Sequence, residues 1–260
     1  MKEEPEDVRI DAYNLRNLSS LFLEFSHSLR LLLFKTLKEK KRHTEISKIL
    51  DISPQETTRH LRRLMRANLI EKDSEGFYSP TSFGLLVLRL LPLFEFVSSR
   101  KNYFLKHSLE EVPYSSLLNL HKLEKAYLGE EGIDGLFRAK EMFSDAHEYM
   151  YVMSKYGMSA SIPIVLEKLR EGVRFRILLE KKAFKELEYP KPTEDVKNLE
   201  LRFLENLNTT ILLNEREALL SFPKKSGDAD YTCGFSGEAF EFLNWCKDLF
   251  HYFWEKSKPL

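Results

Sequence analysis

Gln55, Arg59, Arg62 and Arg66 follow one another at offsets of four, three and four residues, a spacing that puts all four on one face of an α-helix. The guanidinium fork of Arg matches the paired acceptors of a guanine edge, and the Gln amide matches the donor and acceptor of an adenine edge. Thr58, His60 and Arg63 flank this row and suit contacts to phosphate oxygens, which position a helix on a duplex without reading its sequence. The chemistry offered is recognition of double-stranded DNA. An Arg-rich helix taken alone is better explained as a solvated basic face, so the surrounding elements must decide.

Those elements are a scaffold and a hairpin. Leu29, Leu32, Leu33 and Leu37 recur at helical spacing up to the charged run Lys38 to Arg42, and Thr44 precedes a short amphipathic helix ending near Asp51. Ser53-Pro54-Gln55-Glu56 then opens a third helix, Pro54 to Ala67, with Ser53 as its cap and Pro54 at the first helical position. Leu61 and Leu64 line the face opposite the Arg row and are expected to pack on the first two helices. Leu69 to Asp73 and Phe77 to Thr81, joined by Ser74-Glu75-Gly76, read as a β-hairpin. Three helices followed by a hairpin make a winged helix-turn-helix, with Lys72, Ser74 and Tyr78 as the wing residues expected to reach the DNA.

Charge is placed accordingly. The chain is neutral overall, yet Lys plus Arg minus Asp plus Glu gives −3 for residues 1–26, +5 for 27–80 and −2 for 81–260. A positive block in a neutral chain is the footprint of one nucleic-acid-binding module joined to another body.

Catalytic and metal chemistry find little support. The seven histidines form no HxH or HExxH, and Cys233 and Cys246 form no CxxC pair, so no metal and no cofactor are expected and lone histidines are read as surface or boundary residues. Two widely spaced cysteines and an acidic, polar start without an apolar core fit a cytoplasmic protein without a signal peptide. Phe83 to Val97, interrupted by Arg89, Pro92 and Glu95, is expected not to span a membrane.

After the hairpin, a helix of about 25 residues is expected from Phe83 towards Phe104, kinked at Pro92. It carries more apolar surface than a small winged helix can bury, which predicts a homodimer seam, with packing within one chain as the competing reading. A short helix, Tyr114 to Leu123, and a Gly-rich break, Gly129 to Gly135, lead into alternating elements: helix 133–147, strand 149–153, helix 162–171 and strand 173–179. Strands 199–203, 210–213, 218–222 and 231–235 and a helix over 238–255 complete an α/β domain with a mixed sheet. Ligands of open α/β sheets bind outside the carboxyl ends of the strands. Lys155, Tyr156, Glu180, Lys182, Asn214 and Arg216 leave those ends and are the candidate contacts for a small polar or anionic metabolite.

The run from His27 to Gly84, with its H-L-x-x-L at His60–Leu64 and Y-x-x-T-x-x-G at Tyr78–Gly84, resembles the ArsR-like winged-helix regulators of archaea. An S-x-x-R motif near Ser26 is displaced by one residue, and Arg30 is given no role. The remainder, to Phe253-Trp254, resembles the sensory output domain joined to such winged helices in methanogens. This resemblance implies a homodimeric one-component regulator with an effector domain. Ile133 to Leu179 is also similar to a phospholipase-D-like half-domain, but His147 and His251 lack the His-x-Lys of the active enzymes, so no hydrolysis is expected.

The expected protein is α+β: an N-terminal extension (1–24), a winged helix-turn-helix (25–81), connecting and dimerisation helices (82–128) and an α/β ligand-sensing domain (129–260). A phospholipase-D-like hydrolase or nuclease docked through its winged helix, and a winged-helix protein-interaction module, are the alternatives.

Overall fold

The computed structural model describes residues 12–129, 132–157, 159–183 and 197–260; the side chains of residues 12, 13 and 132–137 also fall outside the description. Residues 1–11 of the expected N-terminal extension thus lie outside the described residues, as do 130–131 of the Gly-rich break. The chain divides into two compact units, Met1–Pro92 and Leu93–Leu260.

The first unit begins with helix α1 (Ala12–Phe25), which the polar composition of the N-terminus conceals. Next come α2 (Ser28–Thr36), strand β1 (Lys41–Arg42), α3 (His43–Leu50), α4 (Pro54–Arg66), β2 (Ile70–Lys72) and β3 (Phe77–Pro80). The sheet order is β1-β3-β2, so β1, at the end of the charged run Lys38 to Arg42, is a third strand beside the hairpin. Leu33, Phe34, Leu37, Ile46, Leu61, Leu64, Leu69 and Tyr78 form the core of this winged helix-turn-helix. Ser53 caps α4 by accepting from Glu56 N at 3.2 Å. The start of α3 differs from expectation, since Glu45 caps it by accepting from Arg42 N and Thr44 is exposed.

Helix α5 (Ser82–Ser99) continues through Pro92 and is followed after Arg100 by a separate turn, α6 (Lys101–Phe104), so the long helix expected here ends about five residues early. Among the described residues α5 is the one helix long and apolar enough to pass for a membrane span, at mean hydropathy 1.5 over 18 residues. Val87, Leu88 and Leu91 are nonetheless core residues of the first unit, and Phe96 is one of the second.

The second unit continues with α7 (Tyr114–Leu117) and a 3-10 turn at Leu120–Leu123 in place of one short helix. Then follow β4 (Tyr127–Gly129), α8 (Gly132–Ser144), β5 (Tyr149–Ser154), α9 (Ile162–Arg170), β6 (Arg174–Glu180), β7 (Leu199–Leu204), β8 (Thr210–Asn214), β9 (Ala218–Ser221), β10 (Gly234–Gly237), α10 (Phe240–Lys256) and β11 (Lys258–Pro259). Gly129 is therefore in an edge strand, and Gly132 and Gly135 are in α8 rather than in a break between elements. Strand β10 starts three residues after the expected Tyr231.

The eight strands lie in the order β11-β7-β6-β5-β8-β9-β10-β4. Strands β5, β6 and β7 are parallel and the other pairings antiparallel, which makes the sheet mixed. Met142 and Phe143 of α8 and Val165 and Leu169 of α9 share one core with Met150, Val152, Ile177 and Leu179. Residues of the opposite parity, Tyr151, Met153 and Leu178, pack with Phe242, Trp245, Leu249 and Phe250 of α10. The period of two along buried strands sorts these side chains between the two layers. The protein is thus α+β: a winged helix-turn-helix, a long helix and a C-terminal α/β domain with a mixed sheet.

Candidate nucleic-acid interface

Helix α4 is set on its scaffold by polar contacts as well as by its leucines. The ring Nε2 of His43 lies 3.0 Å from Thr58 Oγ1 and 3.1 Å from the Pro54 carbonyl, and Ser47 Oγ lies 2.8 Å from Thr57 Oγ1. These bonds fix the angle between α3 and α4. The outward face of α4 then presents Gln55, Arg59, Arg62 and Arg66, all exposed. Arg59 touches Glu56 at 3.3 Å, but its side chain remains 65% exposed, and a solvated pair of this kind constrains an Arg weakly.

The flanking residues depart from expectation. His60 is 1% exposed, its ring 4.7 Å from that of His27, and both ring nitrogens lack a hydrogen-bond partner. Burial, with His27, Arg59 and Arg30 nearby and Glu56 opposing them, lowers its pKa below the ordinary 6.5. It is a core residue and cannot serve as a phosphate contact. Thr58 is half-buried and its hydroxyl is committed to His43 and to the Pro54 carbonyl. Arg63 donates to both carboxylate oxygens of Glu24, at 3.0 and 2.8 Å.

Glu24 is held from behind by Arg30, 3% exposed, at 3.1 Å. Arg30 also donates to the Leu23 and Glu24 carbonyls near the end of α1, as basic side chains do at helix C-termini. The residue given no role in the sequence thus organises α1. The bonds from Arg63, with Arg30 and Arg63 as neighbouring charges, hold the Glu24 carboxyl below the usual range against the opposing effect of burial. A cleft of about 700 Å³ lies beside this pair, walled by Asn17, Ser20, Arg66, Asn68 and Phe83.

At the wing, Lys72 is exposed with its amine 5.4 Å from the Tyr78 ring, whereas Tyr78 itself is 7% exposed and belongs to the core. Asp73 ties the tip by accepting from Glu75 N and Phe77 N, and Ser74 is exposed. Arg42 of strand β1 and Lys40, just before it, lie over the Phe77 ring, at 4.4 and 5.1 Å. These two exposed cations were missed as wing residues although the run Lys38 to Arg42 contributes most of the excess positive charge.

The candidate ligand residues of the second unit separate into two groups. Lys155, Tyr156, Glu180 and Lys182 follow or end β5 and β6, at the carboxyl edge of the parallel strands. Asn214 pairs with Met150 because β8 runs antiparallel to β5, so Asn214 and Arg216 lie at the other edge. Asn214 is fully buried and spent on structure: it accepts from Arg216 N and Glu217 N and donates to the Met142 carbonyl. All six end or follow strands, but only four of them share the carboxyl edge of the parallel strands, so the single site expected from the six is corrected to those four.

At the first edge Lys155 donates to Asn208 Oδ1 at 3.0 Å, and Asn208 to Glu111 at 3.0 Å. Tyr231 bonds Ser154 Oγ at 3.1 Å and accepts from Tyr156 N at 3.3 Å. Glu180 is 9% exposed, and Lys182 is exposed.

A second buried histidine also departs from expectation. His107, 4% exposed, faces the Tyr103 carbonyl through Nδ1 at 2.8 Å and Asp230 through Nε2 at 3.0 Å. His107 and Asp230 stand 123 positions apart in the chain, so no local pattern signals the pair. Among the described residues no group of three or more His, Cys, Asp or Glu is arranged to hold a metal.

Residues 138–256 match the family model described as the middle domain of the methanogenesis regulatory protein FilR1, a match to less than half of the chain. Among solved structures, the chain is similar to TrmBL2, an archaeal chromatin protein, at 16% identity over 94% of this chain and 99% of that one, TM-score 0.44. It is also similar to NucT from Helicobacter pylori, at 12% identity over 52% of this chain and 99% of that one, TM-score 0.38. Nuc from Salmonella typhimurium, a phospholipase D family member, shares 7% identity over 52% of this chain and 97% of that one, TM-score 0.36. No curated protein sequence matches the chain.

Proposed function

We propose that this protein is a sequence-specific DNA-binding transcriptional regulator rather than an enzyme, acting as a homodimer, with the second unit sensing a small polar or anionic metabolite. The observation that carries the reading is the exposed row Gln55, Arg59, Arg62 and Arg66 on the third helix of a winged helix-turn-helix. A helix so placed enters the major groove, where Arg and Gln pair with base edges. Lys72, Arg42 and Lys40 supply positive charge at the wing. The family match over 138–256, to a domain of a regulatory protein, supports a regulatory role for the second unit. Within that unit the effector is assigned to the strand edge carrying Lys155, Tyr156, Glu180 and Lys182.

The test is a salt titration of duplex binding. Wild type is expected to bind an operator recovered by selection, with affinity falling steeply as salt rises. A variant with Arg59, Arg62 and Arg66 all changed to Ala should lose this binding while keeping the melting temperature of wild type. Equal binding by the two proteins would refute DNA reading by α4.

A further inference from the structure

We propose that Glu24 is a positioning residue for DNA recognition: its carboxylate withholds Arg63 from the phosphates, so that contact falls to the Gln55–Arg66 row. The inference rests on the DNA-binding function proposed above and concerns how α1 governs that same helix.

Arg63 is four residues from Arg59 and three from Arg66, so it sits directly beside the reading row on the helix surface. By type and place it belongs among the phosphate contacts. Its fork is instead filled by Glu24 through two parallel bonds of 3.0 and 2.8 Å, the bidentate geometry that makes Arg–carboxylate pairs both strong and directional.

Glu24 is not a floating surface acid. Its side chain is 14% exposed, and the buried Arg30 contacts both its carboxylate and its backbone carbonyl. The acceptor is thus fixed before Arg63 arrives. The pair does little for stability on its own, because the Arg63 side chain is 41% exposed and such partly solvated pairs contribute little. Its consequence is electrostatic: one cation beside the reading row is neutralised, and α1 is tied to the flank of α4. Every phosphate contact adds affinity for all sequences alike. Withholding one therefore lowers binding to random DNA while leaving base readout in place.

Four proteins test this: wild type, Glu24→Gln, Arg63→Ala and the double variant, each measured on the selected operator and on a random-sequence duplex across a range of salt. Glu24→Gln removes the charge and the bidentate acceptor but leaves the carbonyls that Arg30 contacts. It should bind the random duplex several-fold more tightly at low salt, with the salt slope steeper by about 0.9, the increment for one added phosphate contact. Arg63→Ala should keep the wild-type slope, and the double variant should return to it.

The proposal is overturned if Arg63→Ala alone flattens the slope by about one, which would mean that Arg63 leaves Glu24 for DNA. It is also overturned if Glu24→Gln melts like wild type yet keeps the wild-type slope. Should Glu24→Gln fail to fold, the Arg63→Ala slope decides by itself. Failure of wild type to bind either duplex would instead remove the DNA-binding function and this role with it, an outcome visible before any variant is compared.

Discussion

His60 is 1% exposed, and neither ring nitrogen has a hydrogen-bond partner. The groups that face it are His27, Arg59, Arg30 and Glu56, and burial together with the three basic ones lowers its pKa. A histidine whose folded pKa is lowered takes up its proton more readily in the unfolded chain. Above 6.5 it is neutral in both states and contributes no pH dependence; as pH falls below 6.5, the unfolded state gains the proton first and stability is lost. The first unit should therefore weaken in acid by up to about tenfold in its folding equilibrium per pH unit from this group, and His60→Leu should remove that component. Urea melts of both proteins between about pH 7 and about pH 5 measure it; parallel curves would show that His60 does not titrate with unfolding. The exposed row on α4 was legible in the sequence because helical period alone fixes which residues share a face. The positions of His60 and Arg63 were not, since each depends on a side chain of the preceding segment, His27 or Glu24, that no local pattern ties to α4.

At the scale of elements, Tyr78, Thr81 and Gly84 show why the hairpin passes so tightly into α5. Tyr78 is core, Thr81 Oγ1 donates to the Asn68 carbonyl at 2.6 Å and accepts from Gly84 N at 3.0 Å, and Thr81 N donates to Leu69 O at 3.1 Å. The first turn of α5 is thereby drawn against the turn after α4. A Cβ on Gly84 would stand 1.9 Å from the Leu69 carbonyl oxygen, a backbone atom that no rotamer change can move aside. Gly84→Ala should cost roughly 1–3 kcal/mol or more, against almost nothing for the exposed neighbour Ser82→Ala, and thermal melts of the two variants make the comparison; equal melting temperatures would disprove the close approach. The sequence carried this joint as a Y-x-x-T-x-x-G spacing, and it carried most helices and strands through their periods. Strand direction was another matter. Asn214 and Arg216 end a strand as plainly as Glu180 does, but β8 runs against β5, and only pairing reveals which edge a strand end occupies. The two- and three-residue strands β1, β4 and β11 have no period to read and exist through their partners.

On the scale of the whole molecule, α5 has two apolar faces. One supplies Val87, Leu88, Leu91 and Phe96 to the cores. The other carries Phe83, Leu86, Leu90, Phe94 and Val97, each between 39% and 56% exposed, and this doubling is what lifts the helix to the hydropathy of a membrane span. Phe83, Leu90 and Val97 stand seven residues apart, with Leu86 between the first two. A seven-residue apolar repeat is self-complementary when two copies of one helix cross at a shallow angle, and on α1 Leu15, Leu18 and Phe22 add exposed apolar surface at helical spacing. This is the support for the proposed homodimer, and the exposed position of the stripe lets it be tested without disturbing either core. Changing Leu86 and Leu90 together to Glu should give a monomer by sedimentation at concentrations where wild type is a dimer, with an unchanged far-ultraviolet circular dichroism spectrum and a melting temperature that no longer depends on protein concentration. Since a dimer reads two half-sites at once, operator affinity should fall on the order of 100-fold while the weaker binding to a single half-site persists. A double variant that remains dimeric would place the seam elsewhere, and one that is monomeric yet binds the full operator undiminished would separate dimerisation from recognition.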